Sequence, residues 1–394
     1  MNRKKIINGK IITPYRIIIN GCVCIEDGKI CEISEYDIDF PDAEIIDAKG
    51  NYVSPGFIDL HSHGAGGSDF MDGTVEAYLQ IAETHAKHGT TGLYPTTLAS
   101  TNEELFQTFE IYRQAKKQNA KGAAFLGFHL EGPYFAMSQR GAQDPKYIRN
   151  PQPDDYLAIL NATDDIVRWS AAPELEGSKK FAETLVSRGI LPAIAHSDAI
   201  YEEVLPAFDW GFTHVTHLYS ATSGVCRRNC FRYAGIIEAS YLMEGMTVEI
   251  IADGVHLPKS LLQLIYKIKG PGKIALISDS MRAAGMPDGK SILGSLSNGQ
   301  EVIVEDGVAK LPDYTAFAGS VATADRLVRT MVQLAEIPLP ETIQMITATP
   351  ARIMGIDKTK GSLTKGKDAD VVIFDSNINI KMTIVGGRMV YQVK

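Results

Sequence analysis

The chain has 394 residues, 45% of them apolar and 22% charged, enough to bury a large core. Acidic residues outnumber basic ones by 47 to 39 for a formal net charge of −8, and no polybasic arm is present, which argues against a nucleic-acid partner. The five cysteines, Cys22, Cys24, Cys31, Cys226 and Cys230, are too sparse for a disulfide framework, complete no zinc knuckle, and read as reduced thiols.

The chain opens with "MNRKKIINGKIITPYRIII", basic and then apolar, but the run is broken at Asn8-Gly9-Lys10 and Pro14-Tyr15-Arg16 and no small-residue cleavage site follows. Nowhere does an uninterrupted apolar run approach a membrane span. A cytoplasmic protein with no membrane partner is expected. Residues 1–52 carry short β-rich pieces, "KIINGKIIT", "CVCIEDGKICEIS" and "AEIIDAKGNYV", in which Asn-Gly and Asp-Gly between β-branched runs signal hairpins. The tail "DADVVIFDSNINIKMTIVGGRMVYQVK" repeats that texture. Each end is too short for a core of its own. The expectation is a small β-sandwich domain built from 1–52 and 359–394, with residues 53–358 inserted.

The middle alternates apolar strands with helical stretches. Eight strands are predicted: "YVSPGFIDLHSH", "TTGLYPTT", "AAFLGFHLEGP", "VRWSAAPE", "LPAIAHSD", "HVTHLYSA", "TVEIIADGVH" and "KIALISDS". They are near-continuously apolar, as strands buried on both faces should be. Helical patterns fall at 102–118, 178–188, 200–210 and 259–267. Eight such units closing on themselves give an α/β fold of the (β/α)₈ TIM-barrel type.

Six of the eight strands end on an ionisable residue: His61 with His63, Glu131, His196, His217, His256 and Asp279. In such a barrel the strand C-termini converge on one face, where chemistry sits. A single histidine at a strand end is more often a hydrogen-bonded structural residue than a ligand; the case for a site is joint. That many ionisable groups on one rim would satisfy each other poorly without a cation. Imidazole and carboxylate in this ratio suit Zn²⁺, with Fe²⁺ or another divalent ion as alternatives. His-x-His at a strand end puts both rings on one face, as period two requires. His85 and His88 lie on a predicted helix and His214 precedes a strand, so these three read as structural. His129 is placed behind the ligands.

These motifs resemble the amidohydrolase superfamily and, within it, the N-acetylglucosamine-6-phosphate deacetylases. "DAKGNYVSPGFIDLHSHG" and "KGSLTKGKDADVVIFD" are similar to that superfamily's entry to and exit from the barrel, and "HLEGPYF", "AHSDA", "THLYSAT", "ADGVHLP", "ISDSM" and "AGS" follow in the deacetylases' order. The resemblance implies Glu131, His196 and His217 as primary metal ligands, and His61 and His63 as a second metal position, so one or two divalent ions per subunit. It implies Asp279 as catalytic acid/base. His256, Ala142, Gln143, Ser220, Ala221 and Phe317 would face the substrate. Arg228, with Arg227 beside it, would bind the sugar phosphate in the neighbouring subunit of a homodimer. "CRRNCFR" indeed gathers Arg227, Arg228 and Arg232 in an otherwise acidic protein, and arginine's planar fork suits phosphate.

Two departures stand out. Ser220 replaces the asparagine such deacetylases usually carry, and Gln143 replaces a histidine that helps polarise the scissile carbonyl. Gln143 can donate an N–H but carries no charge; a second metal on His61 and His63 is expected to supply the lost polarisation. The implied activity is release of acetate from N-acetylglucosamine 6-phosphate. The alternatives are N-acetylgalactosamine 6-phosphate or another N-acetyl sugar and, remotely, a non-catalytic barrel. Cyclic-amide hydrolases usually carry a carboxylated lysine on strand four, and "VRWSAAPE" has none.

Overall fold

Eight parallel strands form the centre of the computed structural model, which describes residues 3–393. They are β1 (Phe57–Ser62), β2 (Thr90–Thr97), β3 (Phe128–Glu131), β4 (Ile166–Ala171), β5 (Leu191–Ile194), β6 (His214–Val215), β7 (Thr247–Ile251) and β8 (Ile274–Ile277). Each pairs in parallel with the next. The last meets the first through the Asp279 N–H donating to the His61 carbonyl at 2.9 Å and a parallel bridge between Ser62 and Ser280. The predicted barrel is therefore present, with shorter strands than the apolar runs suggested. Between the strands run α1 (Val75–Lys87), α2 (Asn102–Gln118), α3 (Pro153–Ala162), α4 (Ser178–Ser187), α5 (Tyr201–Trp210), α6 (Ile236–Leu242), α7 (Lys259–Lys269) and α8 (Ala324–Arg329). Helix α1 starts where Thr74 accepts a bond from the Ala77 N–H, and it buries Tyr78, Ile81, Ala82 and His85, one helical face. Helix α2 opens on a Thr101/Glu104 capping box.

The two chain ends do share one sheet. Tyr52–Pro55 lies antiparallel to Val371–Phe374, so strands from the first fifty-odd residues continue into Ile380–Val385 and Arg388–Gln392. Their common core includes Ile6, Val23, Ile25, Val53, Val371 and Ile384. One hairpin signal held and one did not. Asp27-Gly28 turns the chain between Ile17–Glu26 and Lys29–Ser34 with positive φ at both residues. Asn8-Gly9 instead sits inside the strand Arg3–Ile12 as a bulge opposite Gly21, where a Cβ on Gly9 would lie 2.5 Å from Val53 Cγ2.

A four-stranded antiparallel sheet, Gly289–Leu293, Gln300–Glu305, Val308–Lys310 and Phe317–Ser320, is inserted between β8 and α8. The sequence reading did not anticipate it, although Asp306-Gly307 is the same turn signal used at Asp27-Gly28. Among the described residues no helix is long and apolar enough to cross a membrane.

Candidate metal centre

Three of the expected site residues share a backbone device. His196, His217 and Asp279 each stand two residues beyond the end of β5, β6 and β8, with φ of 49°, 30° and 45°. A left-handed non-glycine residue costs conformational energy and is held only where the surroundings demand it. Here the kink ends the strand alternation and aims all three side chains into the barrel mouth. His61 lies within β1, with His63 just past it, and Glu131 closes β3.

The donors converge. Glu131 Oε1 is 2.9 Å from His217 Nε2 and 3.4 Å from both His196 Nε2 and His61 Nε2. Asp279 Oδ1 is 3.3 Å from His61 Nε2 and 3.3 Å from His63 Nε2, and those two nitrogens are 3.2 Å apart. The tautomers can be argued. His196 Nδ1–H donates to the Gln139 carbonyl at 2.8 Å, and His217 Nδ1–H to the Ser220 carbonyl at 3.0 Å. Each ring then presents an Nε2 lone pair toward a carboxylate oxygen, an arrangement that repels unless a cation is shared between them. All these side chains are buried. The donor set, N and O atoms only, fits a divalent cation, with His61, Glu131 and His217 in one possible group and His61, His63 and Asp279 in another.

Protons on the rings are the other way to meet that demand for positive charge, and the electrostatics show how strong it is. Burial alone would push the Glu131 carboxyl up, but His61, His196, His217 and His63 hold it well below the carboxylate range. Burial is likewise outweighed at Asp279 by His61, His63 and His217, so both carboxylates stay ionised. His63 is pushed up to about 10 because Asp279 and Glu131 overcome its burial. The cluster thus attracts positive charge strongly.

Behind it lies a network that the sequence reading missed. Arg168 on β4 and Glu249 on β7 form a fully buried ion pair inside the barrel, with Arg168 also donating to Thr216 Oγ1 at 2.6 Å. Glu249 Oε2 lies 3.7 Å from His61 Nδ1. The available signal was a charge in the middle of each of two apolar strands, "VRWSA" and "TVEII". His129 sits beside the ligands, bonded to Thr96 at 3.2 Å and Ser170 at 2.7 Å. His85 touches Ser62 Oγ at 3.0 Å, and His88 faces Asp325 at 3.0 Å. His214 does not precede a strand: it is the first residue of β6, bonded to Thr247 Oγ1 at 2.7 Å, because β6 keeps only two ladder residues before the chain turns.

A cavity of about 280 Å³ opens over the donors, lined by His63, Glu131, His196, His217 and Asp279 together with Ala142, Gln143, Ser220, Ala221, His256 and Phe317. His256 is not at a strand end; it lies five residues past β7, where Asp253 accepts from its backbone N–H at 2.8 Å and from Nδ1–H at 2.7 Å. Among the described residues Nε2 has no hydrogen-bond partner. Gln143 lines the cavity, and its amide is engaged at both ends, Oε1 by the Ala99 N–H and one N–H by Glu131 Oε2. Arg227 and Arg228 do not line this cavity. They lie exposed on a hairpin, Cys226–Arg228 against Phe231–Tyr233, turned by Asn229 and Cys230 at positive φ.

Residues 52–390 match the amidohydrolase family. The chain is 32% identical over 390 residues to the N-acetylglucosamine-6-phosphate deacetylase of Haemophilus influenzae, covering 97% of this chain and 98% of that protein. It is 31% identical over 368 residues to the N-acetylgalactosamine-6-phosphate deacetylase of Escherichia coli O157:H7, covering 93% of each. The crystal structure of N-acetylglucosamine-6-phosphate deacetylase from Pasteurella multocida superposes with a TM-score of 0.91 at 29% identity, over 98% of this chain and 99% of that one.

Proposed function

The chain belongs to the amidohydrolase family, and from that premise we propose that it removes the acetyl group from N-acetylglucosamine 6-phosphate, giving acetate and glucosamine 6-phosphate. The observation that carries the reading is the convergence of imidazole Nε2 atoms on Glu131 and Asp279 at the floor of a sugar-sized cavity. Glu131, His196 and His217 would hold a primary divalent cation, and His61 with His63 a second. Zn²⁺ is the first candidate; when bound, such an ion supplies Lewis acidity toward water and the amide carbonyl.

The chain's own residues do the rest. Asp279, ionised and facing the cavity, takes the proton from the water that attacks the carbonyl carbon and then delivers it to the departing nitrogen. His256, with Nδ1–H held by Asp253, offers Nε2 to a sugar hydroxyl or the amide. Ala142, Ser220, Ala221 and Phe317 shape the sugar's place. Arg228 and Arg227, exposed on their hairpin, would reach the 6-phosphate in the other subunit of a homodimer. The proposal includes a cytoplasmic location and a division of the chain into 1–52 with 359–394 and an inserted barrel of 53–358.

A second reading, N-acetylgalactosamine 6-phosphate, has its own support: relatives of both kinds match almost equally well. The test is acetate release from N-acetylglucosamine and N-acetylgalactosamine, each with and without the 6-phosphate, on protein of known metal content. Preference for phosphorylated N-acetylglucosamine is expected. Preference for another sugar would assign Ser220 to a changed specificity, and no turnover at all would return the non-catalytic barrel.

A further inference from the structure

One short segment, residues 139–143, touches two of the converging donors. The Gln139 carbonyl accepts from His196 Nδ1–H at 2.8 Å. Four residues on, Gln143 Nε2 donates to Glu131 Oε2 at 2.8 Å, and Gln143 Oε1 accepts from the Ala99 N–H at 2.9 Å, just beyond β2. The orientation of that amide is dictated by chemistry. A backbone N–H can only donate, so the atom facing it is the oxygen, and the atom facing an ionised carboxylate is then the NH₂.

The residue is held from behind as well. Its backbone N–H donates to the Arg140 carbonyl at 3.0 Å, and Arg140 Nη1 donates to its carbonyl at 3.2 Å. Gln300, on the inserted sheet, donates to the Ala142 carbonyl at 2.6 Å. At 5% exposure, Gln143 commits one N–H to Glu131 and its oxygen to Ala99, which fixes the plane of its amide.

We propose that Gln143 is a positioning residue for Glu131: it ties down Oε2 so that Oε1 is presented to His61, His196 and His217, and it is not a contact for the sugar. Partners of this kind around a metal ligand fix its orientation and raise affinity for the ion. The inference rests on the metal site but not on the identity of the substrate.

The test is competition for Zn²⁺ between the protein and a chromophoric chelator, on wild type and two variants, paired with kcat and KM at saturating Zn²⁺. Gln143→Met keeps the length and removes both bonds. Gln143→Asn keeps the amide but is one carbon too short to span Ala99 and Glu131, and it stands in if the first does not fold. Zn²⁺ binding weakened by about 10–100-fold, with KM unchanged once Zn²⁺ is saturating, is the expected result. Wild-type Zn²⁺ affinity together with a raised KM would overturn the proposal and return Gln143 to the sugar. The competition needs no substrate, so wild-type protein that binds Zn²⁺ yet turns over no sugar would defeat the activity assignment separately.

Discussion

Asp279 meets two demands at once: it must be ionised inside a buried site, and it must face the cavity. Its neighbours His61 and His63 secure the first, and its left-handed backbone two residues past β8 secures the second. Asp279→Asn removes the proton acceptor at nearly constant shape, and acetate release should fall by about 10²–10⁴-fold, with the protein's melting behaviour little altered. His61→Ala tests the pairing of the two histidines. Loss of one equivalent of metal, with a drop in kcat, is expected from metal analysis and steady-state kinetics; full activity with one metal bound would remove the second metal from the mechanism.

At the scale of the element, β4 and β7 carry opposite charges into a barrel interior where Thr216, Ser170 and His129 add a buried polar network. Arg168 and Glu249 are both fully buried and find each other across the barrel. Arg168→Met leaves Glu249 buried without its permanent cation, facing only the His61 and His214 rings, which should cost about 3–5 kcal/mol in denaturant unfolding. Arg168→Met combined with Glu249→Met should be less destabilised than the single variant, because the uncompensated charge goes with its partner. If the double variant lost as much as the two singles summed, the pair would not be acting as a pair.

The whole molecule is closed at two levels, by the β8-to-β1 contacts inside and by helix contacts outside. Asp325 at the start of α8 meets His88 at the end of α1 at 3.0 Å, tying a helix that follows β8 to the helix that follows β1. Burial pushes the Asp325 carboxyl up, but His88, Thr323 and Arg329 outweigh it and hold it below the usual range. A carboxyl depressed in the folded state stabilises above its unfolded pKa and loses that contribution as pH falls through the folded one. Asp325→Asn should therefore melt below wild type at neutral pH, and the gap should narrow on acidification below about pH 4. Chelation of bound metal acts on the same balance: a cation present at 100 times its dissociation constant contributes about 2.7 kcal/mol, so a chelator should lower the melting temperature reversibly.

The amino-acid sequence by itself determined the kinds of element, their order and most of the chemistry. Apolar runs ending on His61, Glu131, His196, His217 and Asp279 were visible because strand burial and side-chain type are local properties. Asp27-Gly28 was legible for the same reason: two positive φ angles are a property of a dipeptide. What the sequence left open was every feature that depends on a partner distant along the chain. Asn8-Gly9 carries the same letters as a hairpin turn, yet Gly21 and Val53, brought alongside by the sheet, make it a bulge. Arg168 and Glu249 are 81 residues apart, and only closure of the barrel makes one the answer to the other. Gln143 lines the cavity as expected, but only folding set Ala99 at one end of its amide and Glu131 at the other. Composition and spacing specify which groups a site can contain; which atom each group spends on its neighbour is decided by packing.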